Sequence, residues 1–264
     1  MNYTAGFIGT GNMGSALLRA TVKKTDSIAV SNRTKAKAES LAKEYKLTCS
    51  HNIDIAENAK YIFLGVKPQM MKEVIDEISP ALKSRKDDFN VVTMAAGVST
   101  EKVCEYIGAD VPVIRIMPNT PVAVGKGIIL YCANSLVDCT DEFTKLLEDA
   151  GTLDEISENL MDAASALTGC SPAWIYMFIE SLADGGVLCG VPRQKALAYA
   201  CDSLIGAAEL VKNSGKHPEQ LKDEVCSPGG TTIEGVNALE KGNFRAAVID
   251  AVNSAYKKSK NMVK

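Results

Sequence analysis

Hydrophobic and polar residues follow different patterns in the two halves of the chain. In the first half, short apolar runs alternate with segments whose apolar residues recur at helical spacing, as Met13, Ala16, Leu17 and Ala20 do. The runs predict β-strands at YTAGFIG (3–9), SIAVS (27–31), YIFLGV (61–66), FNVVTMAAGV (89–98), VPVIRIM (111–117) and GKGIILYC (125–132). Strands that alternate with helices indicate a mostly parallel, doubly wound sheet.

Helix signals lie between these strands. The predicted helices are Asn12 to about Lys23, a segment capped by Thr34 that ends near Tyr45, a short one near Ile53–Asn58, and QMMKEVIDEI (69–78). Pro68 suits the first turn of the last helix, because proline lacks the N–H that a first turn leaves unpaired.

After about residue 157 the strand-like runs end. LADGGVLCG (182–190), KALAYACDSLIGAAELV (195–211) and FRAAVIDAVNSAYKKS (244–259) are alanine-rich with helical spacing, and turns with Gly or Pro divide them. We therefore predict an α/β domain over residues 1–160 and an all-helical domain over residues 161–264. Several helices are apolar on more than one face and must be buried, which predicts at least an obligate dimer.

Composition narrows the class of protein. The 264 residues carry a net charge of −3 without blocks of like charge, so nucleic acid and anionic membranes are not expected as partners. We expect a cytoplasmic protein, because neither a signal peptide nor a transmembrane-length apolar stretch is recognisable. Eight cysteines without a CxxC pair and only two histidines predict no metal site and no Ser-His-Asp triad.

The stretch FIGTGNMG (7–14) follows the first predicted strand and opens the first predicted helix. Its glycines have the spacing G-x-G-x-x-G: Gly9 permits the tight turn, Gly11 lets the backbone approach a pyrophosphate, and Gly14 lets helix and strand pack closely. The helix N-terminus adds free N–H groups and partial positive charge. This context predicts a Rossmann-type dinucleotide-binding domain rather than a plain tight turn.

The second strand ends in AVSNRT (29–34). Dinucleotide sites usually place an acid there, roughly 20 residues after the turn, to bind the adenosine ribose. Arg33 cannot do this, but it can pair with a 2′-phosphate, and Ser31 and Asn32 add short neutral donors. The stretch therefore favours NADP over NAD; the alternative is that Arg33 only begins a solvated helix.

Two further segments, VKPQ (66–69) and AAG (95–97), follow predicted strands. In an open α/β sheet the ligand lies across the carboxyl ends of the strands, so both segments are expected to border the cofactor. Lys67 is either a catalytic lysine or a residue at a helix start whose backbone lines the site.

Four segments occur in order along the chain: FIGTGNMG, FLGVKPQ (63–69), RIMPNTP (115–121) and DEVCSPGGTTIEGVNALE (223–240). Together they resemble the pyrroline-5-carboxylate reductase family over nearly the whole chain. The resemblance implies reduction of 1-pyrroline-5-carboxylate to proline, the last step of proline biosynthesis, with NADPH or sometimes NADH. It also implies a helical C-terminal domain that forms a homodimer, with decamers built as pentamers of dimers in some members.

The resemblance also implies roles for individual residues. Cofactor contacts are expected at Ile8, Gly9, Thr10, Gly11, Asn12, Met13, Ser31, Arg33, Asn52, Val66, Lys67, Pro68, Ala95, Ala96 and Gly97. Substrate contacts are expected at Glu158, Gly230, Thr231 and Thr232. The Thr232 hydroxyl is expected to meet the imine nitrogen as the catalytic group, and RIMPNTP to lie by the nicotinamide.

TGCSPAW (168–174) departs from the family pattern S-G-S-G-P-A-Y, because Ser171 replaces a glycine and Trp174 a tyrosine. If the backbone needed a positive φ at position 171, Ser171 would be strained. This departure leaves the shape of the loop, and what the pocket admits, open.

The chemistry of SPGGTT (227–232) allows two interpretations. Backbone N–H groups at a helix N-terminus can bind a carboxylate, and a threonine hydroxyl can donate to or accept from a ring nitrogen. The alternative is a Pro-Gly turn followed by a threonine helix cap.

Two rival functions also remain. One is a β-hydroxyacid dehydrogenase or a different imine reductase, although the segment 172–188 lacks the lysine that the hydroxyacid enzymes use. The other is a non-catalytic NADP-binding protein, which would not need the GGTT loop.

Overall fold

The computed structural model describes residues 2–261 and divides them into two compact units. The first unit comprises residues 2–170 with 255–261 and is built on one β-sheet; the second comprises residues 171–254 and is helical. The predicted fold class is confirmed. The predicted domain boundary after residue 160 falls within a helix of the first unit, Glu158–Thr168, and stays a prediction.

Eight strands form the sheet of the first unit, in the order β3-β2-β1-β4-β5-β6-β7-β8. They are β1 (Tyr3–Ile8), β2 (Ile28–Ser31), β3 (Thr48–Cys49), β4 (Ala59–Leu64), β5 (Asn90–Thr93), β6 (Val113–Pro118), β7 (Gly127–Ala133) and β8 (Gly151–Glu155). All neighbours pair in parallel except β6 and β7, which are antiparallel. The six predicted strands are present. Strands β3 and β8 were not predicted: β3 has only two residues, both exposed, and the β8 sequence GTLDE has no apolar run and lies half exposed at the sheet edge.

Twelve α-helices surround or follow the sheet in the described residues. They are α1 (Asn12–Thr21), α2 (Lys35–Tyr45), α3 (Asn52–Asn58), α4 (Pro68–Ser84), α5 (Thr100–Ile107), α6 (Asp141–Leu147), α7 (Glu158–Thr168), α8 (Ser171–Leu188), α9 (Arg193–Ser214), α10 (Pro218–Val225), α11 (Thr231–Lys241) and α12 (Phe244–Asn261). Pro68 is the first residue of α4, as predicted. Within residues 2–261, no helix has both the length and the hydrophobicity of a membrane span.

The sheet is buried on both faces, and the side chains of β4 show how. Tyr61 and Phe63 belong to one apolar cluster, whereas Ile62 and Leu64 belong to the cluster on the other face. Phe63 is in register with Phe7 of β1, and their rings stack with centroids 4.5 Å apart. Burial on both faces explains why the strands read as continuous apolar runs rather than as alternating ones.

The chain order of the strands reverses beside β1, which lies between β2 and β4. Helices that follow β1 and β4 leave a crevice at the carboxyl ends of these strands. The glycine turn, AVSNRT and VKPQ all follow strands that end at this crevice. The topology therefore collects the three predicted cofactor segments at one edge of the sheet.

Candidate active site

The glycine turn between β1 and α1 has the geometry that its spacing predicts. Gly9 has φ +92°, a conformation that side chains disfavour, and a Cβ atom on Gly14 would lie 2.5 Å from the Gly9 carbonyl oxygen. A Cβ on Gly11 would meet nothing closer than 4.0 Å. Gly9 and Gly14 therefore serve the turn itself, while Gly11 leaves open space in which a ligand can approach the backbone.

Asn32 joins this turn to the loop that follows β2. Its Oδ1 accepts a hydrogen bond from the Thr10 backbone N–H at 3.2 Å, and its Nδ2 donates to the Thr34 carbonyl at 3.2 Å. The Ser15 hydroxyl also donates to the Thr10 carbonyl, at 3.0 Å. The sequence pattern indicates only a neutral donor at Asn32 and gives no sign of this bridge, because it spans 22 positions of the chain.

A cleft of about 850 Å³ opens at this edge of the sheet. The residues with predicted cofactor contacts that line it are Ile8, Gly9, Gly11, Ser31, Arg33, Asn52, Val66 and Lys67. These eight residues lie at or just after the carboxyl ends of four strands, β1, β2, β3 and β4. A ligand that fills the cleft would touch all four strand ends at once.

Positive charge in the cleft is available to a ligand. Within residues 2–261, neither Arg33 nor Lys67 forms an ion pair, and both are exposed. Lys35, by contrast, lies 3.5 Å from Glu39 one turn further along α2. Unpaired cations beside open backbone at a helix N-terminus fit the phosphates of a dinucleotide.

A short chain of hydrogen bonds fixes the side chain of Asn52, the first residue of α3. The Ser31 hydroxyl donates to Asn52 Oδ1 at 2.6 Å, and Asn52 Nδ2 donates to Glu77 Oε2 at 2.7 Å. Glu77, on α4, was not predicted as part of the site. It lines the same cleft and sets which end of the Asn52 amide faces Ser31.

The other predicted cofactor residues are not part of the lining of this cleft. Thr10 is fully buried, and its hydroxyl has no partner among the described residues. Asn12 and Met13 line a neighbouring groove with α2, and Pro68 begins α4. Ala95–Gly97 form a turn closed by a hydrogen bond from the Val98 N–H to the Ala95 carbonyl, at 3.3 Å.

Glu158, the predicted substrate acid, is engaged within the first unit. Its carboxylate accepts hydrogen bonds from the N–H and the hydroxyl of Thr100, both at 2.8 Å, and lies 3.4 Å from Arg115. Arg115 is buried in β6 and pairs with Asp162 at 2.7 Å. A substrate contact at Glu158 stays a prediction.

The polar residues of RIMPNTP fasten helix α7 to the sheet. Arg115 binds the first turn of α7, and Asn119 Nδ2 donates to the Thr168 carbonyl at its other end, at 3.1 Å. Asn119 Oδ1 also accepts from the Ile128 N–H at 2.9 Å, which closes the β6–β7 hairpin. Arg115 and Asn119 thus both have structural partners.

In the second unit, SPGGTT forms a turn before α11. Gly230 is the N-cap residue, no side chain caps the helix, and Thr231 and Thr232 are its first two residues. The alternative in which a threonine caps this helix is therefore wrong. Ser171 has no strained positive φ, because Lys46 and Asn243 are the only described non-glycine residues with positive φ.

An ion-pair cluster links α10 and α11, the helices on either side of this turn, with α12. Arg245, at the start of α12, lies 2.8 Å from Glu219 of α10 and 2.6 Å from Glu240 of α11. Hydrogen bonds from Lys222 and Arg245 lower the pKa of the Glu219 carboxyl to about 2. The cluster joins α10 and α11, which flank residues 226–230, to the start of α12.

Comparison with known proteins decides the family. A model described as pyrroline-5-carboxylate reductase dimerisation matches residues 158–262, and one described as NADP oxidoreductase, coenzyme F420-dependent, matches residues 4–97. Proteins named pyrroline-5-carboxylate reductase from Synechocystis and Escherichia coli are 39% and 37% identical to this chain, over 100% of both sequences in each case. The chain belongs to the pyrroline-5-carboxylate reductase family.

Solved structures of this family show the same fold. The Plasmodium falciparum pyrroline carboxylate reductase, solved with NADP bound, is 34% identical with a TM-score of 0.88 and covers 100% of this chain and 99% of its own. The Coxiella burnetii enzyme is 28% identical with a TM-score of 0.89, over 100% of both chains. An imine reductase from Myxococcus stipitatus, at 20% identity and a TM-score of 0.55, shares the fold alone.

Proposed function

We propose that this chain reduces 1-pyrroline-5-carboxylate to L-proline with hydride from NADPH. The observation that carries the proposal is identity of 35–39% to reductases of this name along the whole chain, which includes both the cofactor cleft and the GGTT turn. The rival hydroxyacid chemistry is not favoured, because the described helix α8 contains no lysine.

The cofactor-binding part of the proposal rests on the cleft of the first unit. The pyrophosphate would lie against the glycine turn from Ile8 to Met13, and Arg33 with Ser31 would meet the 2′-phosphate. Asn52 would lie near the adenosine ribose. Val66, Lys67 and Pro68, together with the turn Ala95–Gly97, would border the ribose and the nicotinamide. NADH would lack the 2′-phosphate contact, so it is expected to bind more weakly.

The substrate-binding part of the proposal rests on the first turn of α11. The Gly230 N–H donates to the Ser227 carbonyl at 3.0 Å, so the N–H groups from Thr231 onward, which no side chain caps, are the ones that can hold the substrate carboxylate. The Thr232 hydroxyl would hydrogen-bond the ring nitrogen. When bound, NADPH supplies the hydride to the C=N carbon. The iminium nitrogen already carries its proton, so the reaction needs no proton from a side chain.

We also propose at least a homodimer, and a pentamer of such dimers as the larger assembly. The match to a dimerisation model over residues 158–262 supports the dimer. The decamer rests on the family resemblance alone. A cytoplasmic location and the lack of nucleic-acid partners stay predictions.

The test is NADPH oxidation, followed by absorbance, on addition of pyrroline-5-carboxylate, with L-proline identified as the product by chiral chromatography. The proposal expects turnover with this substrate and none when NADP⁺ is offered with small β-hydroxy acids. Cofactor binding without turnover would instead support the non-catalytic protein. Oxidation of the hydroxy acids would support the dehydrogenase.

A further inference from the structure

A buried ion-pair network joins α5, β6 and α7 in the first unit. Arg115 is at its centre: its side chain is only 4% exposed, and its two head nitrogens point to Glu158 and Asp162. Its Nε has no partner among the described residues. Removing one member of such a network leaves a buried charge unpaired, so the network holds its elements in one arrangement.

Glu158 extends this network to the start of α5. Thr100 is the first residue of α5, and its N–H is one of the donors that a helix start leaves without an intrahelical partner. Glu158 accepts both this N–H and the Thr100 hydroxyl, while Ser99 caps the same turn by accepting from the Lys102 N–H at 3.1 Å. Two side chains from different elements therefore fix the first turn of α5.

The turn Ala95–Gly97 leads directly into this helix start. Gly97 has φ +75°, and the hydrogen bond from Val98 to Ala95 closes the turn two residues before Thr100. Val98 itself is buried, so the short connection has little freedom to absorb a movement of Thr100. Displacement of Thr100 would be transmitted to the turn.

We propose that Glu158 and Arg115 are positioning residues, which set the turn Ala95–Gly97 through Thr100, and that Glu158 does not contact the substrate. The inference rests on the proposed function, because it takes this turn as the border of the nicotinamide. A small misplacement of a reacting group lowers the rate of the chemical step strongly while leaving ground-state binding of the substrate nearly unchanged.

The test compares Glu158→Ala, Thr100→Val and the double variant in the full-length enzyme. Thr100→Val removes the hydroxyl but keeps the shape and the backbone N–H, so it remains informative if Glu158→Ala folds poorly. Glu155→Gln is the matched control, since Glu155 is a nearby acid that accepts a hydrogen bond from Tyr131 and has no link to Thr100. The readouts are kcat, KM for pyrroline-5-carboxylate, and Kd for NADPH and for 2′,5′-ADP, a fragment that reaches only the adenosine end.

The proposal expects Glu158→Ala to lower kcat roughly 10- to 100-fold, with KM for pyrroline-5-carboxylate and Kd for 2′,5′-ADP within about twofold of the unmodified chain. Thr100→Val should lower kcat in the same direction. The double variant should be less impaired than the product of the two single effects, because both residues act through one contact.

Two results would overturn the proposal. A rise of KM at constant kcat, multiplicative with Thr100→Val, would place Glu158 on the substrate. Unchanged kcat and KM with only a lowered Tm would reduce the network to a stabilising role.

If the unmodified chain does not turn over pyrroline-5-carboxylate, the proposed function fails instead. The network is then still tested by whether Glu158→Ala weakens NADPH binding but not 2′,5′-ADP binding.

Discussion

The two units of this chain bury their apolar residues to very different extents. In the first unit Phe7, Phe63 and Phe143 are fully buried, and each face of the sheet carries a continuous apolar cluster. Among residues 171–254 the only buried hydrophobic side chains besides Pro172 are three alanines: Ala183, Ala196 and Ala200. The first unit therefore completes its own core within one chain, and the second does not.

The exposed residues of the second unit show what is missing. Met177 on α8 and Ile249 on α12 are each 66% exposed, and Leu188 is 89% exposed. The exposed large hydrophobics in this unit are Ile175, Tyr176, Met177, Leu182, Leu188, Leu197, Tyr199, Ile205, Leu210, Val211, Val225, Ile233, Leu239, Phe244, Val248 and Ile249. Exposed apolar residues in such number are typical of protein interfaces, and the match to a dimerisation model over residues 158–262 supports the homodimer that we propose. In that proposal, cofactor binding belongs to one chain and the helical unit depends on assembly.

The strongest test of this difference between the units is to place charges on exposed apolar residues of the second unit. We expect the double variant Met177→Glu, Ile249→Glu to elute as a monomer and to lose catalytic activity roughly 100-fold or more. An unpaired charge buried in an interface costs about 2–5 kcal/mol, and two of them in each copy exceed what a dimer tolerates. Light scattering gives the mass and the NADPH assay the activity.

Leu136→Glu is the matched control, because Leu136 is an exposed apolar residue of the first unit, 45% accessible. It should leave both mass and activity unchanged. If the double variant remains a dimer with full activity, the exposed face is not the interface.

Much of the first unit could be predicted from the sequence because its signals are local. Apolar runs mark strands that are buried on both faces, and the spacing of Gly9, Gly11 and Gly14 describes one turn. Contacts between distant residues gave no such signal. Asn32 bridges to Thr10 across 22 positions and Glu158 reaches Thr100 across 58, and only the fold shows that they meet.

In the second unit the helices were predictable, but their burial was not. Helical spacing located α8, α9 and α12, and the apolar faces indicated a dimer. The sequence pattern cannot say which of those faces a single chain covers, since burial depends on the packing of whole helices. The start of α11 was also ambiguous, because Gly230 and Thr231 are both acceptable cap residues.

The next prediction concerns the catalytic role of the second unit. Thr232→Ala should lower kcat/KM for pyrroline-5-carboxylate roughly 10- to 100-fold, the worth of one hydrogen bond of about 1.5–3 kcal/mol in the transition state. Because Gly230 is the cap of α11, Tm should barely change. Thr232→Ser should keep most of the activity, since the hydroxyl remains. Steady-state kinetics that stay within about twofold for Thr232→Ala would remove Thr232 from the reaction.

A third prediction tests whether the first unit binds the cofactor without help. Arg33→Ala should weaken NADPH binding roughly 10- to 100-fold and leave NADH binding nearly unchanged, because only NADPH carries the 2′-phosphate. Lys35→Ala is the matched control: this cation lies two residues further along, at the start of α2, and pairs with Glu39, so a small effect is expected. Calorimetric titration measures both. Equal losses for NADPH and NADH would show that Arg33 does not bind the 2′-phosphate.

The smallest expected effect concerns the alkylation of a buried thiol in the first unit. Cys132 on β7 is 5% exposed, and burial raises the pKa of its thiol to about 11. The thiolate is the reactive form, and at pH 8 only about one Cys132 thiol in a thousand is ionised at any moment, so Cys132 would react slowly even if a reagent could reach it. Cys49, on β3, is exposed. Mass spectrometry after N-ethylmaleimide treatment should find Cys49 labelled and Cys132 unlabelled. The labelling rate at Cys132 should rise about tenfold for each pH unit below its pKa.

The same protection should persist in the monomeric Met177→Glu, Ile249→Glu variant, because the core around Cys132 lies within one chain. Rapid labelling of Cys132 in that monomer would show that the first unit also needs the assembly, and the contrast between the two units would not hold.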